Sequence, residues 1–152
     1  MQTINFTSIK KEFTVAATQE TAFKVFTKKM NLWWPSTHHI GSTEMTAIVV
    51  EPFENGRWYS RHADGSETDN GYVITYQPFD LLVLAWQINA DFKCDPKLVT
   101  EVVTEFIAEG PEVTRIKFEH KNLDKLGNSK AVESMNEGWS MILDLYKKQL
   151  EQ

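Results

Sequence analysis

The sequence predicts an α+β protein in which a curved antiparallel sheet of about six to seven strands packs around one long C-terminal helix. Residues 128–152 carry apolar side chains at helical spacing, which is typical of an amphipathic helix. Residues 44–121 alternate short apolar runs with turn sequences such as Asp64-Gly65, which indicates hairpins and therefore antiparallel pairing. Helical patterns lie near both ends of the chain, so they would cover one face of the sheet.

The chain before residue 44 predicts one strand followed by one or two short helices. Residues 1–10 are polar and irregular, so we expect a loose end or a short edge segment there. Apolar and polar side chains alternate over residues 11–17, as in a half-buried strand. Thr18 is a suitable helix N-cap, and apolar residues recur at helical spacing from Ala22 to Met30. The helical pattern must end before Pro35, and a loop follows it.

The middle of the chain predicts six strands in hairpin succession. We expect them at residues 44–50, 57–62, 72–76, 81–88, 98–108 and 113–121. The turns between them carry Gly, Pro, Asn or Asp, and Asn70-Gly71 indicates a bend or a bulge. The run from Leu81 to Ile88 is almost wholly apolar, which favours a central strand.

The C-terminal helix is the element that the sheet must pack around. Its predicted apolar stripe consists of Val132, Met135, Trp139, Ile142, Leu143, Tyr146 and Leu150. Asn128 or Ser129 would cap its start, and Gly127 interrupts the chain just before it. A strongly curved sheet around such a helix leaves space between the two, and a ligand would bind in that space.

Length, charge and cysteine content exclude several classes of function. The 152 residues fit a single domain over 1–152, and a net charge of −5 argues against binding to nucleic acid. No window approaches about eighteen apolar residues, so we predict no membrane span. Residues 1–5 show no secretory signal, and we therefore expect a cytoplasmic protein. Cys94 is the only cysteine, which excludes an intramolecular disulfide, and we expect neither a metal nor another cofactor.

An ordered series of short motifs resembles the SRPBCC superfamily. The motifs are Gly56-Arg57-Trp58-Tyr59-Ser60-Arg61, Asp64-Gly65-Ser66-Glu67, Gly71-Tyr72-Val73, Leu82-Val83-Leu84-Ala85-Trp86-Gln87, Thr100-Glu101-Val102, Thr114-Arg115-Ile116 and Gly138-Trp139. Within that superfamily the chain looks like the stand-alone bacterial proteins similar to the C-terminal domain of the activator of heat shock protein 90 ATPase. The likeness covers nearly the whole chain.

The resemblance implies a helix-grip fold, which is shared with START lipid-transfer domains and the birch-pollen allergen. It implies no single function, because the superfamily includes lipid and hormone binders, polyketide cyclases and aromatases, and the chaperone-activating domain. The eukaryotic activator also has an N-terminal domain that engages the chaperone, for which this sequence has no room. A chaperone partner and a role in the stress response are therefore the weaker expectations.

The candidate ligand-binding residues are aromatic and histidine side chains that would face the space between sheet and helix. They are Trp34, His39, Trp58, Trp86, Phe106, Phe118, His120 and Trp139. Aromatic residues make up 12% of the chain, and large rings either line cavities for apolar ligands or fill a dry core. Trp58 is expected to face inward, which places its neighbours Arg57 and Tyr59 on the outer face of the sheet.

The four histidines suggest chemistry, but they form no recognisable catalytic set. His38 and His39 are adjacent, and either solvent exposure or proton transfer would fit them. His120 and Glu119 point to opposite faces of one strand, so they cannot act as a pair. A metal would need a third ligand, and His62 and His120 lie far along the chain. The sequence contains no nucleophile elbow, P-loop or dinucleotide-binding motif.

Three hypotheses about function follow. We favour non-enzymatic binding of a small, largely apolar ligand, lipid-like or aromatic, by a monomer or a homodimer. The first alternative is a cyclase-like or hydrolase-like cavity enzyme that uses His120 or His39 as an acid or base. The second alternative is an interaction module for a chaperone. The sequence indicates no catalytic residue and no particular ligand.

Overall fold

The computed structural model describes residues 8–151, which form a curled seven-stranded sheet and a long helix. The elements in chain order are β1 (Ser8–Val15), α1 (Gln19–Thr27), α2 (Met30–Trp33), β2 (Met45–Val50), β3 (Arg57–His62), β4 (Glu67–Gln77), β5 (Leu81–Trp86), β6 (Thr100–Gly110), β7 (Val113–Lys121), a 3-10 turn (Leu123–Leu126) and α3 (Ser129–Leu150). The strand order is β1-β7-β6-β5-β4-β3-β2, and every neighbouring pair is antiparallel. The predicted α+β helix-grip architecture is confirmed.

Both predicted helix starts carry the expected caps. The side chain of Thr18 accepts a hydrogen bond from the Thr21 N–H at 3.1 Å, which caps α1. The side chain of Asn128 accepts one from the Ala131 N–H at 3.0 Å, which caps α3. Gly127 has a φ of +62°, a left-handed conformation that glycine adopts at little cost. Local capping chemistry therefore fixes where the long helix begins.

The N-terminal elements differ from the prediction in their limits. β1 begins at Ser8, because it pairs with β7 over eight positions as far as Lys121. Residues 8–10 therefore belong to an edge strand, which is one of the two alternatives expected for this segment, and are not a loose end. Residues 1–7 lie outside the described residues, as does the expectation about a secretory signal. The predicted helix from Ala22 to Met30 is divided into α1 and α2, and Met30 begins the second of them.

Strand β4 is longer than predicted and contains a β-bulge. Trp58 pairs with Gly71 and Tyr59 pairs with Asp69, so Asn70 is the extra residue of the bulge that Asn70-Gly71 predicts. A Cβ at Gly71 would overlap the carbonyl oxygen of Ala85 on the neighbouring strand, so only glycine fits there. The bulge shifts the alternation of the strand and leaves the side chain of Asn70 buried.

The outer face of β3 is charged, as the sequence predicts. Trp58 is fully buried on the inner face, whereas Arg57 and Arg61 are exposed. The guanidinium of Arg57 lies 4.0 Å from the centre of the Tyr59 ring. Arg57 also forms ion pairs with carboxylates of β4, including one to Asp69 at 2.9 Å. The arginines therefore belong to the surface and do not reach the interior.

An aromatic cluster fills the space between the sheet and the C-terminal half of α3. We call it the packed end, and it consists of Phe23, Phe26, Trp33, Phe106 and Tyr146. Tyr146 is fully buried, and its ring centre lies 5.1 Å from that of Phe26 and 5.3 Å from that of Trp33. Its hydroxyl donates to the carbonyl oxygen of Ala22 at 2.8 Å, which ties α3 to α1. No helix within residues 8–151 is long and apolar enough to cross a membrane.

Candidate ligand-binding site

A cavity of about 570 Å³ lies between the sheet and the N-terminal half of α3. We call this region the open end. Its walls come from the loop that follows α2, the neighbouring strands β4 and β5, the loop between β5 and β6, the 3-10 turn, and α3 as far as Ile142. The cavity is thus on the same side of the sheet as the packed end, further along the same helix.

Three tryptophans form the walls of the cavity. The Trp139 ring, from α3, has its centre 5.8 Å from that of Trp34 and 5.8 Å from that of Trp86. Ile142 and Met135 extend the apolar lining along α3. These side chains offer broad apolar surfaces to a ligand, and aromatic walls favour ring stacking or edge-to-face contact.

Polar groups of the lining are concentrated at the mouth of the cavity. The exposed ones are Thr37, His38, Asn128, Lys130 and Ser134. His39 and Asn89 are half-buried. Asn70 alone among the polar lining residues of the described chain is buried, with 4% of its surface exposed. The cavity therefore changes from polar at its mouth to apolar inside, apart from one carboxamide.

Four of the eight candidate residues line this cavity: Trp34, His39, Trp86 and Trp139. The structure places the other four, Trp58, Phe106, Phe118 and His120, in the packed interior. The ring of Trp58 is covered by that of Trp34 at 5.9 Å and that of Trp86 at 5.6 Å between ring centres. The Trp139 ring covers Phe118 in the same way at 4.6 Å, and Phe106 belongs to the packed end.

His120 takes part in a hydrogen-bond chain that has only one possible direction. The indole N–H of Trp139 donates to Nδ1 of His120 at 3.1 Å, and an indole nitrogen can only donate. The neutral ring must therefore carry its proton on Nε2, which lies 2.8 Å from Oγ1 of Thr100. The Thr100 hydroxyl in turn donates to the carbonyl oxygen of Trp86 at 3.1 Å. Both nitrogens of His120 are thus engaged.

Burial sets the protonation state of His120. It lowers the pKa of His120 from 6.5 to about 3, so the ring is neutral near pH 7. The side chain is fully buried and has no nitrogen left for a ligand. These observations argue against a role of His120 as an acid or base. Its hydrogen bond instead orients the indole of Trp139, which forms a wall of the cavity.

His39 lies half-buried at the edge of the cavity and keeps one free nitrogen. Its Nδ1 accepts a hydrogen bond from the Gly41 N–H at 3.1 Å, so the neutral ring carries its proton on Nε2. Within residues 8–151 that Nε2–H has no hydrogen-bond partner. Burial, and then the neighbouring His62 ring at 5.0 Å between centres, lowers the pKa of His39. His39 can therefore donate one hydrogen bond to a ligand.

His62 holds in place the loop that carries His39. Its Nδ1 lies 3.2 Å from the carbonyl oxygen of Thr43, and its Nε2 lies 2.8 Å from Oγ1 of Thr68. Gly41 is pressed against the same ring, and a Cβ at that position would overlap it. This packing fixes the path of the loop beside the cavity. No group of three or more His, Cys, Asp or Glu side chains within residues 8–151 could hold a metal ion.

The loop between β5 and β6 forms the rim opposite the histidines. The indole N–H of Trp86 donates to the carbonyl oxygen of Ile88 at 3.0 Å, and Oδ1 of Asn89 accepts from the Asp91 and Lys93 N–H groups. The tip residue Phe92 is 77% exposed and has a φ of +60°, which is uncommon for a bulky residue. Its ring therefore stands at the entrance as exposed apolar surface.

Four further residues line the cavity but are not among the eight candidates: Asn70, Ile88, Phe92 and Met135. A signal for Asn70 exists, because Asn-Gly inside a strand marks a bulge and a bulge re-aims the side chain next to it. Phe92 carries no comparable signal, because a polar loop looks the same at a rim as elsewhere on the surface, and Ile88 falls at the end of the predicted strand 81–88.

The curled antiparallel sheet, the long C-terminal helix and the cavity between them define a ligand-binding fold of the SRPBCC type. The family model described as "Activator of Hsp90 ATPase homolog 1-like protein" matches residues 16–151. The chain belongs to that family. The resemblance derived from the sequence motifs is therefore confirmed.

Solved structures with related sequences share the fold. The chain is similar to CalC, a self-sacrificing resistance protein from Micromonospora echinospora, with 29% identity, a TM-score of 0.73 and coverage of 97% of this chain and 96% of that one. It is also similar to Txn09, an anthrahydroquino-gama-pyrone synthase complexed with SUM, with 25% identity, a TM-score of 0.65 and coverage of 93% and 95%. Protein MLL2253 from Mesorhizobium loti, at 15% identity, a TM-score of 0.70 and coverage of 95% and 96%, shares the fold alone. A comparison with curated protein sequences found no match.

Proposed function

We propose that this protein binds a small, largely apolar ligand in the cavity at the open end and does not convert it chemically. The observation that carries the proposal is the cavity itself. Its volume of about 570 Å³ falls within the range of about 300–1,000 Å³ that ligand sites occupy. Its tryptophan walls and its few polar groups match the usual composition of such sites.

Energetics support an apolar ligand. Burial of apolar surface stabilises a complex by about 25 cal/mol per Å², before the entropy lost on association is subtracted. The walls formed by Trp34, Trp86 and Trp139 supply that surface on several sides of the cavity. Because Nε1 of Trp34 and of Trp86 already donate to backbone carbonyls of the loops, these two indoles present their rings to a ligand.

The lining favours binding over catalysis. Within the described chain it contains no carboxylate, thiol or phenol. Its other groups of the kinds that act as acids, bases or nucleophiles, apart from His39, are His38, Lys130, Ser134 and Thr37, which are exposed at the mouth. His120 is committed to Trp139 and Thr100. His39 remains as a single half-buried donor without an acidic partner in the lining.

A second candidate is a cavity enzyme in which His39 transfers a proton. The free Nε2–H of His39 at the cavity edge and the similarity to a synthase at 25% identity favour it. Turnover of an aromatic substrate that is abolished by His39→Gln, with unchanged ligand affinity, would support it. The family description makes association with Hsp90 a further candidate, which a pull-down with the purified chaperone tests.

A variant that fills the cavity tests the binding proposal. A Cβ at Gly138 would meet no atom within 4 Å, and Gly138 lines the cavity from the interior of α3. Gly138→Leu should therefore fold, gain helix propensity and occupy part of the cavity. The matched control is Ser140→Leu, which puts the same side chain on an exposed position of the same helix.

A ligand is identified in two steps. Native mass spectrometry of freshly purified protein detects any molecule that co-purifies, and a thermal-shift screen then tests aromatic and lipid-like compounds. A ligand at a hundredfold excess over its Kd should stabilise the wild-type protein by about 2.7 kcal/mol. We expect the shift to persist in Ser140→Leu and to disappear in Gly138→Leu. An equal shift in both variants would show that the compound binds elsewhere, and no shift from any class of compound would overturn the proposal.

A further inference from the structure

The side chain of Asn70 is a buried polar group in the wall of the cavity, and none of the contacts described above gives it a structural role. The backbone carbonyl oxygen of Asn70 accepts a hydrogen bond from the Gln87 N–H at 2.8 Å. Within residues 8–151 its carboxamide forms no hydrogen bond with the chain. Only 4% of the residue is exposed, yet the carboxamide is not among the fully enclosed polar atoms that lack a partner. Because Asn70 lines the cavity, its carboxamide is open to that space and is available to a hydrogen-bond partner from outside the chain.

The backbone directs this carboxamide into the cavity. Asn70 is the extra residue of the bulge between β3 and β4, and bulges commonly re-aim side chains beside binding sites. The neighbouring Gly71 pairs with Trp86, whose ring is a wall of the cavity, and no other residue fits at position 71. The orientation of Asn70 is thus a fixed property of the sheet and does not depend on a flexible loop.

The surroundings of Asn70 disfavour a ligand that places a charged group next to it. Lys130 is the only Lys, Arg, Asp or Glu in the described lining, and it is exposed at the mouth. Arg57 and Arg61 lie on the outer face of the sheet and cannot serve as counter-ions inside. An ionised group at the depth of Asn70 would therefore be desolvated without a partner, which is strongly unfavourable. A neutral hydroxyl or carbonyl would instead gain a hydrogen bond, because a carboxamide both donates and accepts.

We propose that Asn70 is the specificity-determining residue of the cavity, and that it selects flat aromatic ligands whose buried end carries a neutral hydroxyl or carbonyl oxygen. This inference rests on the proposed function and refines it. The tryptophan walls contact the aromatic rings of the ligand. The carboxamide of Asn70 forms a hydrogen bond with the oxygen at the buried end of the ligand. A ligand that also bears a carboxylate would place it at the mouth, near Lys130.

Three fluorescent probes with one aromatic body test this inference: pyrene, 1-hydroxypyrene and pyrene-1-carboxylate. Binding is measured at neutral pH by energy transfer from the tryptophans to the probe. The wild-type protein should bind 1-hydroxypyrene about tenfold more tightly than pyrene, as expected for one hydrogen bond in a dry site. Pyrene-1-carboxylate, which carries a charged carboxylate attached directly to the ring system, should bind more weakly than 1-hydroxypyrene.

The variant Asn70→Leu removes the hydrogen-bonding group and keeps the approximate volume. We expect it to bind pyrene at least as tightly as the wild type and to lose the preference for 1-hydroxypyrene. Asn136→Leu makes the same substitution on an exposed part of α3 outside the cavity, and it should keep the wild-type preference. If the melting temperature shows that Asn70→Leu does not fold, Asn70→Ala replaces it with the same expected loss of preference.

The outcomes separate this inference from the proposed function. An unchanged preference for 1-hydroxypyrene in the Asn70 variants overturns the inference, and so does a preference of the wild type for pyrene-1-carboxylate that Asn70→Leu abolishes. Pyrene binding that Gly138→Leu abolishes, without any preference for the hydroxyl, overturns the inference and leaves the proposed function intact. No saturable binding of any probe to the wild-type protein overturns the inference, whereas the proposed function is overturned only if the thermal-shift screen of aromatic and lipid-like compounds also gives no shift.

Discussion

The two halves of α3 face the same sheet in different ways. In the C-terminal half, Tyr146 is fully enclosed by Phe26 and Trp33, which come from α1 and α2. In the N-terminal half, Trp139 faces a cavity of about 570 Å³ that is bounded on its remaining sides by loops. The short helices thus fill one end of the space beneath α3, and within residues 8–151 nothing comparable fills the other end.

This difference separates the residues that stabilise the fold from those that are available to a ligand. At the packed end, removal of a ring leaves a void in a dense interior, which costs both burial and contact energy. At the open end, side chains already border empty space, so their removal or enlargement changes fewer contacts. We therefore expect substitutions to have large effects on stability at the packed end and smaller effects at the open end.

The largest effect is expected for Tyr146→Ala at the packed end. The substitution removes a fully buried ring and its hydrogen bond to Ala22, so the free energy of unfolding should fall by about 3–5 kcal/mol. Denaturant unfolding measures it. Tyr146→Phe is the control for the ring, and it should cost only about 1 kcal/mol for the lost hydrogen bond. A loss under about 1 kcal/mol for Tyr146→Ala would contradict the view that this end is tightly packed.

Trp139→Phe tests the boundary between the two ends. It keeps an aromatic ring but leaves Nδ1 of the buried His120 without its donor, so we expect a loss of about 1–3 kcal/mol in the free energy of unfolding. Trp34→Phe is the matched control, because its indole N–H donates to the carbonyl oxygen of His38 in an exposed loop. Water can replace that donor, and equal losses in the two variants would argue against the proposed role of His120.

Acid should destabilise the protein through His120. Its pKa is about 3 in the folded chain and near 6.5 when unfolded, so below pH 6.5 the unfolded chain binds a proton that the folded chain does not. The stabilisation is complete above the unfolded pKa and decreases as the pH falls, by about 1.5 kcal/mol between pH 6.5 and about pH 5. Urea unfolding at several pH values measures this slope.

His120→Gln should reduce the acid sensitivity, because glutamine does not titrate. The lowered pKa of His39 contributes with the same sign, so some dependence on pH should remain in this variant. The comparison concerns the slope and is independent of how far His120→Gln lowers stability at neutral pH. An unchanged slope would mean that His120 is accessible to protons in the folded state.

The smallest effect is expected for Gly138→Ala at the open end. Because a Cβ there meets no atom within 4 Å, only the helix propensity changes, and stability should rise by about 1 kcal/mol. Thermal unfolding measures it. Gly110→Ala is a useful contrast, because Gly110 ends β6, outside any helix, and a Cβ there meets Val113. A destabilised Gly138→Ala would show that the wall of α3 is closer to its neighbours than the structure describes.

Local patterns in the sequence predict most of the fold. Periodicity predicts α3 and its buried face, and capping chemistry places its start at Asn128. Strands β3 and β7 have the predicted limits, because clear turns bound them. β1 is longer than predicted because the pairing with β7, a contact between distant parts of the chain, extends it to Ser8. Such pairing is not visible in the local pattern.

The cavity is harder to predict than the fold, since inward-facing residues look alike in a sequence. Phe106 and Trp86 both alternate inward on neighbouring strands, yet Phe106 lies against Phe23 and Phe26 while Trp86 borders the cavity. The positions of α1 and α2 over the sheet determine which inward-facing residue is covered and which borders the cavity. Those positions depend on the packing of the whole chain. The Asn70-Gly71 bulge is the exception, because its inward asparagine has a local cause.

The hydrogen-bond chain through His120 also indicates where the cavity is open to redesign. The chain begins at a side-chain nitrogen of Trp139 but ends at the main-chain oxygen of Trp86. Every amino acid at position 86 presents that oxygen, whereas few side chains at position 139 could replace the indole donor. A library that seeks new ligand preferences should therefore vary position 86 freely and keep Trp139.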